Sequence, residues 1–287
     1  MQNHSRTTRL RDILSGSQCV TAGSVFDPIS ARIADELGFE VAVMGGSGAA
    51  LAVLGAPDIV LLTLSELVEQ ARRACRAGKV SLVVDADHGY GNALNVMRTV
   101  EELQAVGVAG ATIEDTLLPR AFGATEALQL TSLEEGLGKM RAAVAARGTG
   151  PMLVFGRTTA ATISGVDDAI RRLQAYQASG VDGLFVAGLK TREELDRIAA
   201  AVTLPLVLGG CSEALADAQY LASRKVRVWL DGHQAFSAAT LAIHSTQAAI
   251  RAGTRASGLT HLAPADLMAR LTRAADYQAA MRDYLGG

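Results

Sequence analysis

The stretch Ser81–Asn92, SLVVDADHGYGN, carries the clearest signal in this sequence. It begins with Leu82-Val83-Val84, an apolar run typical of a strand that is buried on both faces. Asp85 and Asp87 follow, and both carboxylates point the same way because side chains alternate along an extended chain. Such a pair repels unless a cation or a proton lies between its members, and a hard divalent ion such as Mg²⁺ prefers oxygen ligands. An ordinary turn is also rich in Asp and Gly, so the pattern alone leaves both interpretations open.

Further apolar runs on either side of this strand alternate with helical patterns of about 10 to 15 residues. These runs are Cys19–Val25, Val41–Met44, Ala111–Glu114, Pro151–Arg157, Gly183–Ala187, Pro205–Leu208 and Val226–Leu230. Strict alternation implies parallel strands, and eight such units are what a (β/α)₈ barrel requires. A doubly wound open sheet also alternates, but it usually has fewer strands. The sequence therefore predicts an α/β protein with a (β/α)₈ TIM barrel and additional C-terminal helices.

The helical patterns give the predicted domain organisation. Helices are expected at Arg6–Ser15, Ile29–Leu37, Ser65–Ala77, Ala93–Val106, Phe236–Ala252 and Pro264–Tyr284. We expect one barrel domain over 1–287, in which residues 236–287 form helices that pack on, or are exchanged with, a partner subunit. An intramolecular cap would also bury their surplus apolar surface. Asp115–Thr131 is the one long connection without apolar periodicity, and such a connection is usually a lid or a binding loop.

Composition narrows the class of protein. The formal charge of −2 gives no electrostatic reason to expect nucleic acid or an anionic membrane surface as a partner. The apolar runs are too short to span a bilayer, and the N-terminus lacks the apolar core of a signal peptide. The 3 cysteines have no CxxC spacing, so neither a disulfide framework nor a zinc site is indicated. A cytoplasmic protein is expected.

In a barrel, the C-terminal ends of the strands share the face that holds the active site. The residues at those ends are Asp27, Gly45-Gly46-Ser47, Asp85, Asp87, Glu114, Arg157, Gly209-Gly210-Cys211 and His233. The opposite strand ends carry no comparable set, and this segregation favours a functional role for the acidic pair. His88 and His233 are the only two of the 5 histidines placed at strand ends.

Each of these residues also has a plainer interpretation. Asp27 precedes Pro28 and is better explained as a helix N-cap. Gly45-Gly46-Ser47 could be a tight turn, although exposed amides beside a metal suit a carboxylate. A guanidinium after an apolar strand, as at Arg157, needs an anion, and a substrate carboxylate would supply it. Cys211 could be a small buried residue, and without a base partner it is not expected to be a nucleophile.

Ordered motifs from about Ser24 to the C-terminal helices resemble the isocitrate lyase / phosphoenolpyruvate mutase superfamily. The motifs are GGSGAA, LGAPD, VVDADHGYGNALNV, TIEDT and GRTTA. The resemblance implies a (β/α)₈ barrel, a homotetramer that exchanges C-terminal helices, and Mg²⁺ as cofactor, with Mn²⁺ as an alternative. It also implies bond making or breaking at C3 of a small α-keto acid, through an enolate.

The resemblance further implies roles for individual residues. Asp85 is expected to bind the metal directly, Asp87 and Glu114 through water, and Asp58 is a further acid of the site. Arg157 and the amides of Gly45, Gly46 and Ser47 are expected to hold the substrate carboxylate, and Cys211 is assigned to the same binding site. Arg157, His88 and His233 are the candidate catalytic residues.

Departures from the family pattern select a branch. The carbon–carbon lyases carry Lys-Lys-Cys-Gly-His in the loop where this chain has Asp115–Arg120, DTLLPR. His88 and His233 resemble the oxaloacetate decarboxylase branch, although Thr159 and the lack of a Tyr near Cys211 depart from its pattern. The predicted function is Mg²⁺-dependent decarboxylation of oxaloacetate to pyruvate and CO₂, with the enolate protonated by water or by an imidazole. The alternatives are another C–C or P–C reaction on a pyruvate-like acid, and a barrel that binds an α-keto dicarboxylate without turnover.

Overall fold

A computed structural model of the chain describes residues 2–124 and 127–286. The chain divides into a unit formed by Met1–Gly232 and a unit formed by His233–Gly287. The first unit contains the strands and the second contains helices only.

The first unit is built on a nine-stranded parallel sheet. The strands are β1 Val20–Thr21, β2 Gly23–Ser24, β3 Val41–Met44, β4 Ser81–Asp85, β5 Gly110–Glu114, β6 Leu153–Thr158, β7 Gly183–Ala187, β8 Leu206–Gly209 and β9 Val226–Leu230. Their order is β1-β9-β8-β7-β6-β5-β4-β3-β2, so the sheet curls into a nearly closed barrel. The predicted TIM barrel is confirmed.

The predicted first strand, Cys19–Val25, is divided in two because it closes the barrel. β1 pairs with β9 and β2 pairs with β3. Between them, the Ala22 N–H donates to the carbonyl of Trp229 at 2.8 Å. One strand thus changes its partner midway, and this accounts for nine observed strands where the sequence predicts eight.

Helices connect the strands, as the alternation predicts. They are α1 Gln2–Ser15, α2 Pro28–Glu36, α3 Gly46–Leu54, α4 Leu64–Ala77, α5 Ala93–Ala105, α6 Leu133–Arg147, α7 Ala160–Ile163, α8 Val166–Gln177, α9 Arg192–Ala201 and α10 Ala218–Ser223. The second unit contains α11 Gln234–Arg251, α12 Ala265–Thr272 and α13 Ala274–Leu285.

Alternate strand residues face two separate apolar cores. Val83 belongs to a cluster inside the barrel, whereas Leu82 and Val84 belong to the cluster between the sheet and the helices. Leu10 and Leu14 of α1 belong to the inner cluster, so the first helix fills one end of the barrel. This double burial explains why the strands are continuous apolar runs rather than alternating ones.

Gly45-Gly46-Ser47 forms the tight junction between β3 and α3, which begins at Gly46. One helical prediction is wrong in detail. Pro264–Tyr284, expected as one helix, is interrupted at Arg273, whose φ of 57° is left-handed. The hydroxyl of Thr272 donates to the carbonyl of Met268 at 2.7 Å, a bond that bends helices and favours such an interruption.

The helices of the second unit expose apolar side chains. Among the residues that the structure describes, no side chain of α11 is buried, and Leu271 is the only buried residue of α12. None of the described helices is long and apolar enough to cross a bilayer.

Candidate active site

Adjacent strands bring three charged side chains to one end of the barrel. Asp85 is the last residue of β4, Glu114 is the last residue of β5, and Arg157 lies near the end of β6. The parallel register pairs Glu114 directly with Arg157 and places Thr112 beside Asp85. Parallel pairing therefore assembles residues that are 72 positions apart in the sequence.

Arg157 contacts both of the acids that flank it. Its Nη1 pairs with Oδ2 of Asp85, and its Nε lies 3.1 Å from Oε2 of Glu114. The guanidinium carbon also lies 5.2 Å from the ring centre of Phe185, a cation–π distance. The other oxygen of Asp85 accepts from the hydroxyl of Thr112 at 3.0 Å and from the amide of Asp87 at 3.3 Å. Asp85 is thus oriented from three sides.

Asp87 lies in a turn with an unusual backbone. Its φ is 47°, a left-handed value that is uncommon for a residue with a side chain. The amide of Glu114 donates to the carbonyl of Asp87 at 2.8 Å, which ties the turn to β5. Sequence alternation correctly places both acids at the strand end, but the turn rather than an extended strand sets the direction of Asp87.

The start of α3 packs against the carboxylate of Asp87. A Cβ built on Gly46 would lie 2.8 Å from Oδ1 of Asp87, so a side chain at this position would displace the carboxylate. Gly45 is the N-cap, and Gly46 and Ser47 form the first turn of the helix. Their amides belong to the positive end of a helix and are suited to bind a carboxylate. The predicted role of this segment in substrate binding stays a prediction.

The acids carry more negative charge than the protein neutralises. Burial raises the pKa of Asp87 well above its usual value, and the charges of Asp85, Asp58 and Glu114 raise it further. Burial also raises the pKa of Glu114, against the opposing effect of Arg157. For Asp85, burial acts in the same direction, but Arg157 and the hydrogen bonds from Thr112 and the Asp87 amide together outweigh it, and the pKa is lowered. Four carboxylates therefore share one guanidinium.

This donor set fits a hydrated Mg²⁺ ion. Oxygen ligands and surplus negative charge are what the ion requires, and it commonly keeps several waters while one or two carboxylates hold it. Among the described residues, no three His, Cys, Asp and Glu side chains converge as a closed metal cage. A set in which Asp85 binds directly and Asp87 and Glu114 act through water needs no such cage. The individual ligand roles stay predictions.

Asp58 and Asp27 come from segments other than the ends of β4, β5 and β6, although the charge of Asp58 reaches Asp87. Asp58 lines a cavity of about 500 Å³, whose other walls include Leu61 and residues 117–121 of the long loop. Asp27 caps α2, with its Oδ1 accepting from the amide of Ser30 at 2.6 Å. The N-cap interpretation of Asp27 is therefore confirmed.

The other predicted residues have different surroundings. His88 is buried, and its Nδ1 has no hydrogen-bond partner within the described part of the chain. Burial, with the nearby charge of Lys139, lowers the pKa of His88 to about 4, so its imidazole is neutral at pH 7. Cys211 follows β8, its Sγ lies 3.4 Å from the carbonyl of Gly209, and burial raises its pKa. His233 is the first residue of the helical unit and immediately precedes α11. The roles assigned to these three residues stay predictions.

A buried polar cluster closes the base of the long loop 115–131. Oδ2 of Asp115 accepts from the hydroxyl of Tyr176 at 2.6 Å and from Nη1 of Arg172 at 3.1 Å. The same Nη1 donates to the carbonyl of Thr131 at 3.0 Å, and the amide of Thr131 donates to the carbonyl of Asp115 at 2.8 Å. One guanidinium thus joins the first and the last residue of the loop. Sequence reasoning did not identify this cluster, because its members come from three separate segments.

Sequence reasoning also missed Lys139 and Thr112. Thr112 orients Asp85, but a threonine within a strand carries no local signal of that role. Lys139 is buried on α6 together with Gly136, Met140 and Ala143, a helical spacing on one face. The one signal available in the sequence was a single charged residue on the otherwise uncharged buried face of this helix.

The chain matches the family model described as phosphoenolpyruvate phosphomutase over residues 10–251. It is 59% identical to the oxaloacetate decarboxylase of Rhodopseudomonas palustris (strain BisA53), over 94% of this chain and 93% of the relative. It is 54% identical to the oxaloacetate decarboxylase of Bradyrhizobium diazoefficiens (strain JCM 10833 / BCRC 13528 / IAM 13628 / NBRC 14792 / USDA 110), over 100% of this chain and 99% of the relative.

Solved structures agree with these matches. The chain resembles a phosphonopyruvate hydrolase in complex with oxalate and Mg²⁺, with a TM-score of 0.87 and 27% identity over 98% of this chain and 99% of that one. It also resembles an oxaloacetate acetylhydrolase in complex with 3,3-difluorooxalacetate, with a TM-score of 0.85 and 28% identity over 99% and 97%. The family predicted from the motifs is thus confirmed: the chain belongs to the phosphoenolpyruvate phosphomutase family.

Proposed function

We propose that this protein decarboxylates oxaloacetate to pyruvate and CO₂ in a reaction that requires Mg²⁺. The observation that carries the proposal is the similarity, over nearly the whole chain, to curated oxaloacetate decarboxylases at 50% to 59% identity. The site supports it, because the acids at the ends of β4 and β5 and the guanidinium on β6 suit a cation and a dicarboxylate.

The acids of the site would hold the cation that the reaction requires. When bound, Mg²⁺ would supply a Lewis acid beside the C1 carboxylate and the C2 carbonyl of oxaloacetate. Asp85 would hold it directly, Asp87 and Glu114 would act through water, and Asp58 would be a further acid of the site. Arg157 and the amides at the start of α3 would bind the C1 carboxylate, which fixes the substrate relative to the acids.

The reaction requires few catalytic groups from the protein. The C3–C4 bond breaks, its electron pair forms the C2–C3 double bond, and negative charge moves onto the C2 oxygen while CO₂ leaves. Fixed positive charge near that oxygen stabilises the transition state more than the ground state. C3 then takes a proton, from water or from an imidazole such as that of His233, and pyruvate results.

The long loop favours loss of CO₂ over the acid–base-assisted cleavage of the carbon–carbon lyases of this superfamily. Residues 115–131 contain neither Cys nor Lys, so the loop offers no thiol or amine as an acid or base. Loss of CO₂ needs no added nucleophile, and the apolar cavity beside Asp58, with Leu61 and Leu117 in its walls, leaves a carboxylate poorly solvated. A weakly held C4 carboxylate departs more readily as CO₂.

The decisive experiment measures pyruvate from oxaloacetate with Mg²⁺ and then with EDTA, after subtracting the rate of the metal alone. Metal-dependent release of pyruvate, inhibited by oxalate, is expected. Oxalate and acetate as products would instead indicate a hydrolytic cleavage. Turnover of phosphonopyruvate but not of oxaloacetate would indicate the P–C alternative, and oxalate binding without turnover would indicate a non-catalytic binder.

We also propose a cytoplasmic homotetramer in which the C-terminal helices pack on partner subunits. The exposed apolar residues of the second unit support this arrangement, because apolar patches of this kind usually mark an interface.

A further inference from the structure

Lys139 is a charged residue in an apolar position. It lies on α6 between buried residues, and only 2% of it is exposed. Burying an ammonium group costs free energy unless charges or hydrogen bonds compensate it. Burial lowers the pKa of Lys139, and the charges of Glu135, Asp115 and Glu114 act against that effect. The ammonium therefore lies within the electrostatic field of the candidate active site.

The hydrogen bond made by this ammonium is unusual for a buried lysine. Nζ donates to the backbone carbonyl of His88 at 3.0 Å, rather than to a carboxylate. His88 directly follows Asp87 in the turn after β4. The hydrogen bond from Lys139 thus links α6 to the backbone of that turn, next to Asp87 of the candidate active site.

Residues 86–91 form the turn that follows β4. Its backbone is strained, and hydrogen bonds hold its successive carbonyl groups in place. Positive φ angles occur at Asp87 (47°), Gly89 (81°), Tyr90 (63°) and Gly91 (146°). At Asp87 and Tyr90 such angles persist only where the surroundings enforce them. Backbone amides hold two of the carbonyls: Gly89 donates to Ala86 at 2.9 Å, and Glu114 donates to Asp87 at 2.8 Å.

Side chains hold the next two carbonyls. Lys139 donates to His88, and the hydroxyl of Thr99 donates to Gly89 at 3.1 Å. Lys139 is the charged member of this pair, and the carbonyl that it holds belongs to His88, the residue next to Asp87. If the ammonium of Lys139 were removed, the carbonyl of His88 would stay buried and lose this hydrogen bond. The turn would then relax, and Asp87 would move with it.

We propose that Lys139 is a positioning residue, which holds the turn 86–91 in the left-handed conformation that directs Asp87 toward the cation. The inference rests on the Mg²⁺ site of the proposed function and adds to it a residue from outside the strand ends.

A purely electrostatic role for Lys139 would have the opposite sign. A buried positive charge near the acids repels a cation, so its removal alone would tighten metal binding. Loss of positioning would weaken binding, because the carboxylates would no longer converge. The direction of the change therefore separates the two roles.

The test uses the full-length protein and Mn²⁺ as the probe, with free Mn²⁺ measured by electron paramagnetic resonance. Lys139→Met keeps the aliphatic stem and removes the ammonium. Arg141→Met is the matched control, because it removes a positive charge from the exposed face of the same helix. Thr99→Val releases the neighbouring carbonyl without any change in charge.

We expect Lys139→Met to raise the Kd for Mn²⁺ at least tenfold, Thr99→Val to raise it by a smaller factor, and Arg141→Met to leave it unchanged. In turnover, the apparent KM for Mg²⁺ should rise at least tenfold for Lys139→Met, while kcat at saturating Mg²⁺ stays within about threefold, since excess metal restores occupancy.

A folded Lys139→Met variant that binds Mn²⁺ as tightly as the wild type, or more tightly, overturns the proposal. If that variant shows no cooperative melting transition, Thr99→Val decides instead, and an unchanged Kd there overturns the proposal. Wild-type protein that binds Mn²⁺ but forms no pyruvate contradicts the proposed function alone, and wild-type protein that binds no Mn²⁺ contradicts both.

Discussion

Gly46 brings the backbone of α3 into close contact with the candidate active site. It starts α3 and faces the carboxylate of Asp87, and a Cβ there would lie 2.8 Å from Oδ1 and 3.2 Å from Oδ2. Glycine is unfavourable in helices, so its presence at this point is explained by the close approach and not by helix propensity.

We expect Gly46→Ala to lower kcat/KM at least tenfold, which corresponds to roughly 1.4 kcal/mol of transition-state stabilisation. The added methyl group would displace Asp87 while leaving the helix intact, so the melting temperature should change by only a few degrees. Gly48→Ala is the matched control in the same helix, since its Cβ would meet nothing closer than Phe26 Cβ at 3.8 Å. Equal activity of the two variants would contradict this account.

Asp85 is the residue whose loss should matter most. It is held by Arg157, Thr112 and the amide of Asp87, and it keeps its charge because its pKa is lowered. We expect Asp85→Ala to reduce metal-dependent decarboxylation by at least roughly 10³-fold with the fold intact. Glu101→Ala, which removes an exposed acid from α5, should have the wild-type rate. Pyruvate assays and circular dichroism would check both, and activity that survives in Asp85→Ala would refute the metal site.

Helix α8 stabilises the long loop 115–131 through the guanidinium of Arg172. Arg172 bridges Asp115 and Thr131, and it is oriented in turn by Asp168, whose Oδ2 accepts from its Nε at 2.9 Å. Burial alone would raise the pKa of Asp168, but hydrogen bonds from Ser164, Arg172 and Arg171 outweigh it and bring the pKa down to about 2.

A lowered pKa makes the contribution of Asp168 dependent on pH. The stabilisation is present above the unfolded-state value near 3.8 and is lost as the pH falls toward 2. We expect Asp168→Asn to reduce the free energy of unfolding by roughly 1 kcal/mol at pH 7, and the difference from the wild type to shrink between pH 4 and about pH 2.

Urea unfolding at several pH values would measure this difference. Asp167→Asn is the control on the neighbouring position, because the Asp167 side chain is 88% exposed and its ion pair with Arg197 lies at the surface. A deficit of Asp168→Asn that persists undiminished at pH 2 would show that the charge of Asp168 is not the cause.

The described helices of the second unit carry exposed apolar side chains. Tyr277, Met281 and Tyr284 lie on one face of α13 at helical spacing and are 60%, 49% and 83% exposed. A contiguous stripe of this kind on a helix usually marks an interface.

We expect analytical ultracentrifugation of the wild type to give a mass roughly four times the chain mass of 29.8 kDa. Met281→Asp would place a carboxylate in the apolar contact, so it should shift the protein to smaller species. Asp283→Ala, on the same helix, should leave the mass unchanged. A monomeric wild type would contradict the tetramer, and an unaffected Met281→Asp variant would remove this face of α13 from the interface.

Local patterns were sufficient for much of this protein. Strand runs and helical periodicity predicted the barrel, because each depends on the burial of neighbouring residues along the chain. The position of Asp85, Glu114 and Arg157 at strand ends then followed from the shared polarity of parallel strands. The N-cap at Asp27 was also predictable, since Asp before Pro satisfies the local requirements of a helix start.

Other features depend on residues that are distant in sequence, and they were visible only in the folded chain. The division of the first strand follows from barrel closure, and the glycine at position 46 is required by Asp87 on another segment. Lys139 bonds to a residue 51 positions away, and Asp115 bonds to one 57 positions away, so neither contact is visible in the local sequence. Most helices and strands, and the acids at the strand ends, could be predicted because they depend on short-range periodicity. The contacts that hold these acids in place could not, because hydrogen bonds and close approaches between separate segments leave no periodic trace in the chain.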